Sequence, residues 1–391
     1  MNEDITLKDL IEMLQEYLSQ NYEFRKNVLS NKFEVRSLEG DAPFIPITKE
    51  VLNGISLRVR LSGLEISSHK QILEELIFSD ETTIYDPVRD FLAGLPEWDG
   101  QNHIGQLFGR LPGITTEQQY FLSIWLRSAV AHWLGMDTLH ANECVATFIG
   151  EQGCGKSTFC ARLLPPHLRT YYLDHLNLGN KFDKEMALTS NLLVNLDELD
   201  QIKRGQHAEL KQTLSKSKVN GRPIFGKAQE DRTRYASFVA TTNNRHPLSD
   251  PTGSRRFLCI NIPQGAFINN TGEIDYGQLY AQVLYELNVK QMRYWFNNEE
   301  VARIQQLNAA HQVVNDLGTM IDVCFRHPEK DEKVVALTTG EIISHLSSQF
   351  PTISQGTGTS VKLGLLLKEK EYERQNWGSG RRYLIVVRKS A

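Results

Sequence analysis

The residues best suited to chemistry lie mid-chain. Gly150-Glu151-Gln152-Gly153-Cys154-Gly155-Lys156-Ser157 satisfies G-x-x-x-x-G-K-[ST]. It follows the apolar run Val145 to Ile149 and precedes a helical stretch starting at Thr158, the setting such a loop requires. There the glycines let backbone N–H groups wrap the β-phosphate of ATP at a helix N-terminus, across residues 150 to 158. Lys156 reaches the β- and γ-phosphates, and the Ser157 hydroxyl can ligate Mg²⁺. On the motif alone, a strand-to-helix turn that binds nothing stays open.

Three further strand ends carry polar groups. Leu192-Leu193-Val194-Asn195-Leu196-Asp197-Glu198 is an apolar strand that delivers two acids to the crevice where α/β ligands bind. Asp197 is the candidate to hold Mg²⁺, mostly through water, and Glu198 the base or orienter for water attacking the γ-phosphate. The plain reading is a solvated acidic loop of Asp197, Glu198 and Asp200. Glu beside Asp favours hydrolysis over kinase chemistry, because a kinase must keep activated water from the γ-phosphate. Phe238-Val239-Ala240 runs into Thr241-Thr242-Asn243-Asn244, placing Asn243 to touch the γ-phosphate or the water, or else forming a plain turn. Arg255 and Arg256 precede another apolar strand. They suit an arginine finger for a neighbouring subunit, with a local salt bridge holding at least one of them.

The elements that must position these groups are short continuous apolar runs, at 145–149, 192–196 and 238–240. Such runs suit strands buried on both faces of a parallel sheet, an α/β core. The predicted architecture is an α/β P-loop, AAA+-like ATPase core. A mostly helical amino-terminal region precedes it, and a small α+β unit follows, either a winged helix or a generic cap. The boundaries fall at 1–85 (small mixed α/β), 86–140 (helical segment), 141–315 (ATPase) and 316–391 (carboxy-terminal unit). Leu7, Leu10, Ile11, Leu14 and Leu18 predict an opening helix with one buried stripe, and residues 33–47 a short hairpin. From Glu117 a strongly apolar helix leads into the core. In the tail, Thr338-x-x-Glu341 is a capping box, a second helix carries Val361, Leu365 and Leu366, and 372–387 reads as a hairpin turning at Gly378-Ser379-Gly380.

Composition narrows the classes. The 391 residues include 43 Lys+Arg and 47 Asp+Glu, a net charge of −4 that excludes a uniformly basic nucleic-acid coat. With 40% hydrophobic and 23% charged residues the chain is globular, and its apolar runs break before the roughly 18 residues a spanning helix needs. The acidic start lacks a secretory pattern, and five cysteines without zinc-ligand spacing read as free thiols. Both features predict a cytoplasmic protein.

The ordered set of P-loop, strand-Asp-Glu, strand-Thr-Thr-Asn and Thr252-Gly253-Ser254-Arg255-Arg256 resembles the virulence-associated protein E family. That family is a branch of P-loop ATPases similar to superfamily 3 helicases. Asp86-Pro87-Val88-Arg89-Asp90 with Trp98-Asp99-Gly100 upstream, and Gln278-Leu279-Tyr280-Ala281 downstream, extend the resemblance over roughly residues 86 to 312. It implies an ATPase of phages, plasmids or genomic islands, assembling as a homo-oligomeric, hexameric ring and acting in DNA replication. It supports Lys156, Ser157, Asp197, Glu198, Asn243 and the Arg255/Arg256 pair, without choosing between the arginines. Many relatives carry a primase ahead of the ATPase. The first 130 residues offer no catalytic acidic cluster for one, so a separate primase is the expected partner.

Two cationic islands bear on DNA. Residues 203–234 hold nine basic residues against three acids, among them Lys216, Lys218, Arg222 and Lys227. On charge alone a solvated helix and a DNA contact both stand; the resemblance implies a hairpin facing a ring channel. Residues 362–391 hold eight basic residues against three acids, with Arg381 and Arg382 beside the hairpin turn and Trp377 across it. They suit either a wing on the DNA backbone or a salt-bridged cap. The reading is a Mg²⁺-dependent ATPase that translocates on or unwinds single-stranded or forked DNA. The alternatives are a nucleotide-gated DNA-binding initiator and a phage-defence ATPase.

Overall fold

The computed structural model describes residues 6–64, 69–136, 141–202, 204–221, 230–248, 254–312, 317–329, 332–350, 353, 356–377 and 380–388. It is a mixed α/β chain. At the amino-terminal end lie α1 (Leu7–Asn21), β1 (Tyr22–Asn27), β2 (Lys32–Ser37), β3 (Ile45–Pro46), α2 (Lys49–Leu61), α3 (His69–Ile77) and β4 (Thr83–Tyr85). The sheet order is β3-β2-β1-β4, with β1 antiparallel to β2 and parallel to β4. This region is mixed α/β. β1 reads Tyr-Glu-Phe-Arg-Lys-Asn, too charged to separate from the helix before it. α1 starts on a Thr6 capping box, as its sequence invites, but only Leu14 and Leu18 of its stripe are buried, and Leu7 is exposed.

Three helices lead to the core: α4 (Pro87–Ala93), capped by Asp86 with Pro87 at its first position, α5 (His103–Phe108) and α6 (Thr116–Trp133). From Phe121 to Trp133 nearly every residue of α6 is buried, because α6 packs on the sheet and on a later helix. The core then runs β5 (Val145–Ile149), α7 (Lys156–Ala161), β6 (Tyr172–Leu173), α8 (Lys181–Ser190), β7 (Leu193–Asp197), α9 (His207–Ser215), β8 (Lys218–Gly221), β9 (Glu230–Thr233), β10 (Ser237–Thr242), β11 (Phe257–Asn261), α10 (Tyr276–Asn288) and α11 (Asn298–Asn308).

Five of these strands form one parallel sheet in the order β11-β5-β10-β7-β6. Alternate residues feed two separate hydrophobic clusters. Ala146, Phe148, Val239, Leu258 and Ile260 face the helices α6 and α10; Val145, Ile149, Phe238, Ala240 and Cys259 face the other layer. Burial on both faces explains the unbroken apolar runs. All five cysteines are free and buried, and burial raises the Cys144 thiol to about 12.

The carboxy-terminal elements are α12 (Leu317–Cys324), β12 (Phe325–Arg326), β13 (Val335–Leu337), α13 (Thr339–Gln349), α14 (Thr357–Glu369), β14 (Arg374–Trp377) and β15 (Gly380–Val387). β15 pairs antiparallel with β12, β13 and β14. The Thr338 capping box and the tail hairpin form as expected, with Trp377 opposite Gly380; Gly378 and Ser379 lie outside the described residues. The face of α14 differs from expectation. Leu363 and Leu367 are fully buried, whereas Val361 and Leu365 are each 65% exposed. No helix among the described residues is long and apolar enough to cross a membrane.

Phe350 joins this unit to the core by stacking on His246, with ring centroids 5.0 Å apart. His311, which shares a hydrogen bond with the Arg245 carbonyl, and His345 line the same cavity. Burial holds the His246 and His311 imidazoles below the usual histidine range, and for His246 the neighbouring His311 adds to the effect. Below the unfolded value near 6.5, the unfolded chain takes protons that the folded chain resists, so stability falls as pH falls. The melting midpoint should drop between pH 7.5 and 5.5, and by less in His246→Phe, which keeps the ring stack but removes one titrating group.

Candidate active site

The G-x-x-x-x-G-K-S turn connects β5 to α7 at the carboxyl edge of the sheet. Gly153 and Gly155 have φ of +81° and +94°, conformations that disfavour a side chain. A Cβ on Gly155 would also lie 2.5 Å from Asn270 Nδ2 and would displace that side chain. Gly155 caps α7 without a side-chain hydrogen bond, so the cap residue leaves the first N–H groups of the helix unsatisfied by any side chain of its own. Glu151, Gln152, Ser157 and Thr158 are exposed, while Cys154 and Lys156 are buried.

The Lys156 amine is fixed by oxygen atoms. It donates to Gly150 O and Glu151 O at 2.8 Å each and to Asn243 Oδ1 at 2.9 Å. The last contact follows from topology: β10 lies between β5 and β7, so the residue after it emerges between the lysine loop and the Asp-Glu strand. Thr241 is in register with Asp197 and donates to its Oδ1; Thr242 donates to Asp200 Oδ1. In the sequence these threonines stand out only as neighbours of Asn243. Their hydroxyls hold the acidic loop, a function that a Thr-Thr pair at a strand end can signal.

Glu198 occupies the left-handed region at φ +50°, a strained conformation costing about 1–2 kcal/mol for a residue with a Cβ. It is exposed, and with Asp197, His175 and Asn177 it lines a cavity of about 210 Å³. No group of three or more His, Cys, Asp or Glu among the described residues can hold a metal. Mg²⁺ suits this donor set, because it commonly takes only one or two protein oxygens and completes its shell with phosphate and water.

The arginine pair divides. Arg256 lies 3.2 Å from Glu143 and donates to Ser215 Oγ, so it is a structural tie. Arg255 is exposed and makes no ion pair with a described residue. The turn that carries it is rigid, because buried Asn308 donates to both Ser254 O and Phe257 O.

The basic insertion contains the hairpin β8–β9, whose tip, with Arg222 and Lys227, lies outside the described residues. Lys218 is exposed and pairs with Asp231, and Lys216 is half-buried at the hairpin base. Two members of the basic count do not face solvent freely: Arg232 pairs with buried Glu185, and Arg234 is fully buried. Arg234 donates to the carbonyls of Ala236, Leu214, Lys216 and Asn142. Burial lowers its guanidinium to about 10, which leaves it charged at neutral pH. In the tail, Arg381 is exposed, whereas Arg382 donates to Ala336 O and lies 3.6 Å from Glu341.

The two flanking segments singled out in the sequence are one contact. The Asp99 N–H donates to Gln278 Oε1, the Gln278 amide donates to Glu97 O, and the Trp98 ring packs on Tyr285. A mixed α/β chain with this parallel sheet and loop defines the class. The chain belongs to the virulence-associated protein E-like domain family, whose model matches residues 92–313.

No curated protein matches the chain. Among solved structures, the apo structure of the NrS-1 C terminal region (305–718) aligns over 98% of this chain and 100% of its own at 13% identity, with a TM-score of 0.42. SCCmec type IV Cch, described as an active helicase, aligns over 93% of this chain and 92% of its own at 10% identity, with a TM-score of 0.34.

Arg234→Met removes the donor of four carbonyls, most of them buried, and should cost more than about 3 kcal/mol. Thermal unfolding would show a midpoint lowered by several degrees, and Arg234→Lys should recover only part of the loss.

Proposed function

We propose that this chain is a Mg²⁺-dependent ATP hydrolase that forms a ring and acts on DNA during replication. One observation carries the reading: a buried lysine ammonium at the sheet edge, held by neutral oxygens and flanked by Asp197 and Glu198 one strand beyond Asn243. Its oxygen acceptors carry no formal charge, and a phosphate would supply the countercharge. Membership of the virulence-associated protein E-like family supports the same reading.

In this proposal the loop from Gly150 to Thr158 binds the phosphates, and Ser157 and Asp197 would hold Mg²⁺. The ion would neutralise charge developing on the phosphate oxygens. Glu198 orients the attacking water, and Asn243 keeps Lys156 directed toward the γ-phosphate. Arg255, displayed on its clamped turn, is the finger for the adjoining subunit, and Arg256 holds the turn's surroundings. The carboxy-terminal order of helix, two strands, two helices and two strands resembles a winged helix with one added strand, and it puts Arg381 near the wing. Together with the β8–β9 hairpin it offers cationic surface to DNA.

ATP turnover should fall at least 100-fold in Lys156→Ala and Glu198→Gln, with Glu198→Gln still binding nucleotide. Arg255→Ala should lose turnover without losing melting temperature, and Arg256→Ala should lose melting temperature first. A forked duplex then separates motor from initiator: strand separation requires the first, and binding without separation the second. Wild-type turnover in both Lys156→Ala and Glu198→Gln would refute the site.

A further inference from the structure

The segment after β11 turns back across the glycine-rich loop and is pinned to it repeatedly. Ile262 N–H donates to Ile149 O at 2.7 Å, Gly265 N–H to Glu151 Oε2 at 3.1 Å, Ile268 N–H to Cys154 O at 2.9 Å and Asn270 Nδ2 to Gly155 O at 2.9 Å. The residues interleaved with the last two anchors, Phe267 and Asn269, do not face the loop. They line a cleft of about 470 Å³ whose other wall is Gln106, Gly109, Arg110 and Pro112, at the end of α5 and in the turn beyond it.

The cleft is rigidly built. Asn269 N–H donates to Arg110 O, and the Arg110 guanidinium donates to the carbonyls of Asn269, Gly272 and Glu273. Arg162, just past α7, donates to Gly272 O at 2.5 Å, tying the same wall to the helix that the loop opens. On this clamped backbone Phe267 is 72% exposed, more than any other aromatic ring among the described residues. An aromatic face fixed in solvent is an unusual use of a large apolar side chain and suits stacking on a flat partner. Opposite it, the exposed Gln106 amide makes no hydrogen bond with a described residue. Such an amide presents a donor and an acceptor side by side, the pair that matches the N6/N7 edge of adenine.

We propose that this cleft receives the base of the nucleotide, with a purine stacked on Phe267 and its edge read by Gln106. The inference rests on the phosphate reading of the glycine-rich loop and extends it to the other end of the ligand. Phe267 precedes Ile268, whose N–H donates to Cys154 O, so the strap that carries the stacking face is itself fixed to the phosphate loop. Arg110 is a positioning residue here, since its donors are taken up by the wall.

The test compares two ligands on the full chain by titration calorimetry: a non-hydrolysable ATP analogue with Mg²⁺, and inorganic tripolyphosphate with Mg²⁺. Phe267→Ala removes an exposed ring and should fold normally. It should weaken the ATP analogue about tenfold or more, the scale of base–aromatic stacking, while leaving tripolyphosphate within twofold of wild type. Phe267→Trp should restore the ATP analogue, and Gln106→Ala should weaken it severalfold without touching tripolyphosphate. Lys156→Ala should weaken both ligands. Unchanged affinity for the ATP analogue in Phe267→Ala, with Lys156-dependent binding intact, overturns the base site and leaves the phosphate site standing. Equal loss of both ligands in Phe267→Ala also overturns it, by showing a disturbed loop. Absence of Lys156-dependent binding of either ligand to the wild type overturns the phosphate reading and the base site together.

Discussion

The interaction on which the rest depends is the grip of three oxygens on the Lys156 ammonium. Burying a cation is costly unless its hydrogen bonds are made, and here they are made by two loop carbonyls and the Asn243 amide oxygen. The grip couples the glycine-rich loop to β10, so neither can shift alone. It also fixes the position of a positive charge whose oxygen acceptors are all neutral. Gly153 and Gly155 make the loop path possible, and Asn270 and Ile268 brace it from the far side.

Strand order turns that local contact into a site. With β10 between β5 and β7, three strand ends converge on one edge: the lysine loop, the Thr-Thr-Asn end and the Asp-Glu end. Thr241 and Thr242 link the second to the third through Asp197 and Asp200, so the acidic loop is held while Glu198 remains exposed in its left-handed conformation. Behind the edge, α6 and α10 are joined by the buried Arg127–Glu286 pair at 2.6 Å, with Gln282 bonded to Glu286 and to the start of α5. The helical segment before the core is thereby part of the scaffold.

Much of this was legible from residues alone because buried parallel strands must be continuously apolar and the loop must be glycine-rich. β5, β7 and β10, the capping box of α13 and the tail hairpin all announce themselves locally. The two-residue strands β6 and β12 do not, since they are defined by partners instead of by pattern. α14 shows why a face can be misread. Its apolar residues 361, 363, 365, 366 and 367 nearly encircle the helix, and packing against α12 and α13 selects Leu363 and Leu367. Arg234 shows the limit of counting charge: in sequence it is one more cation of the basic stretch, and in the fold it is the buried clamp at the base of the hairpin. The choice between Arg255 and Arg256 likewise waits on tertiary partners, Glu143 and Ser215, that lie far away in the chain.

We propose that phosphate chemistry at this edge is coupled to DNA. Phosphate release by the purified chain, measured with Mg²⁺-ATP against rising concentrations of oligo(dT), tests it most directly. Turnover should climb and saturate with DNA. Turnover that stays flat across concentrations at which the same oligonucleotide is bound would contradict it.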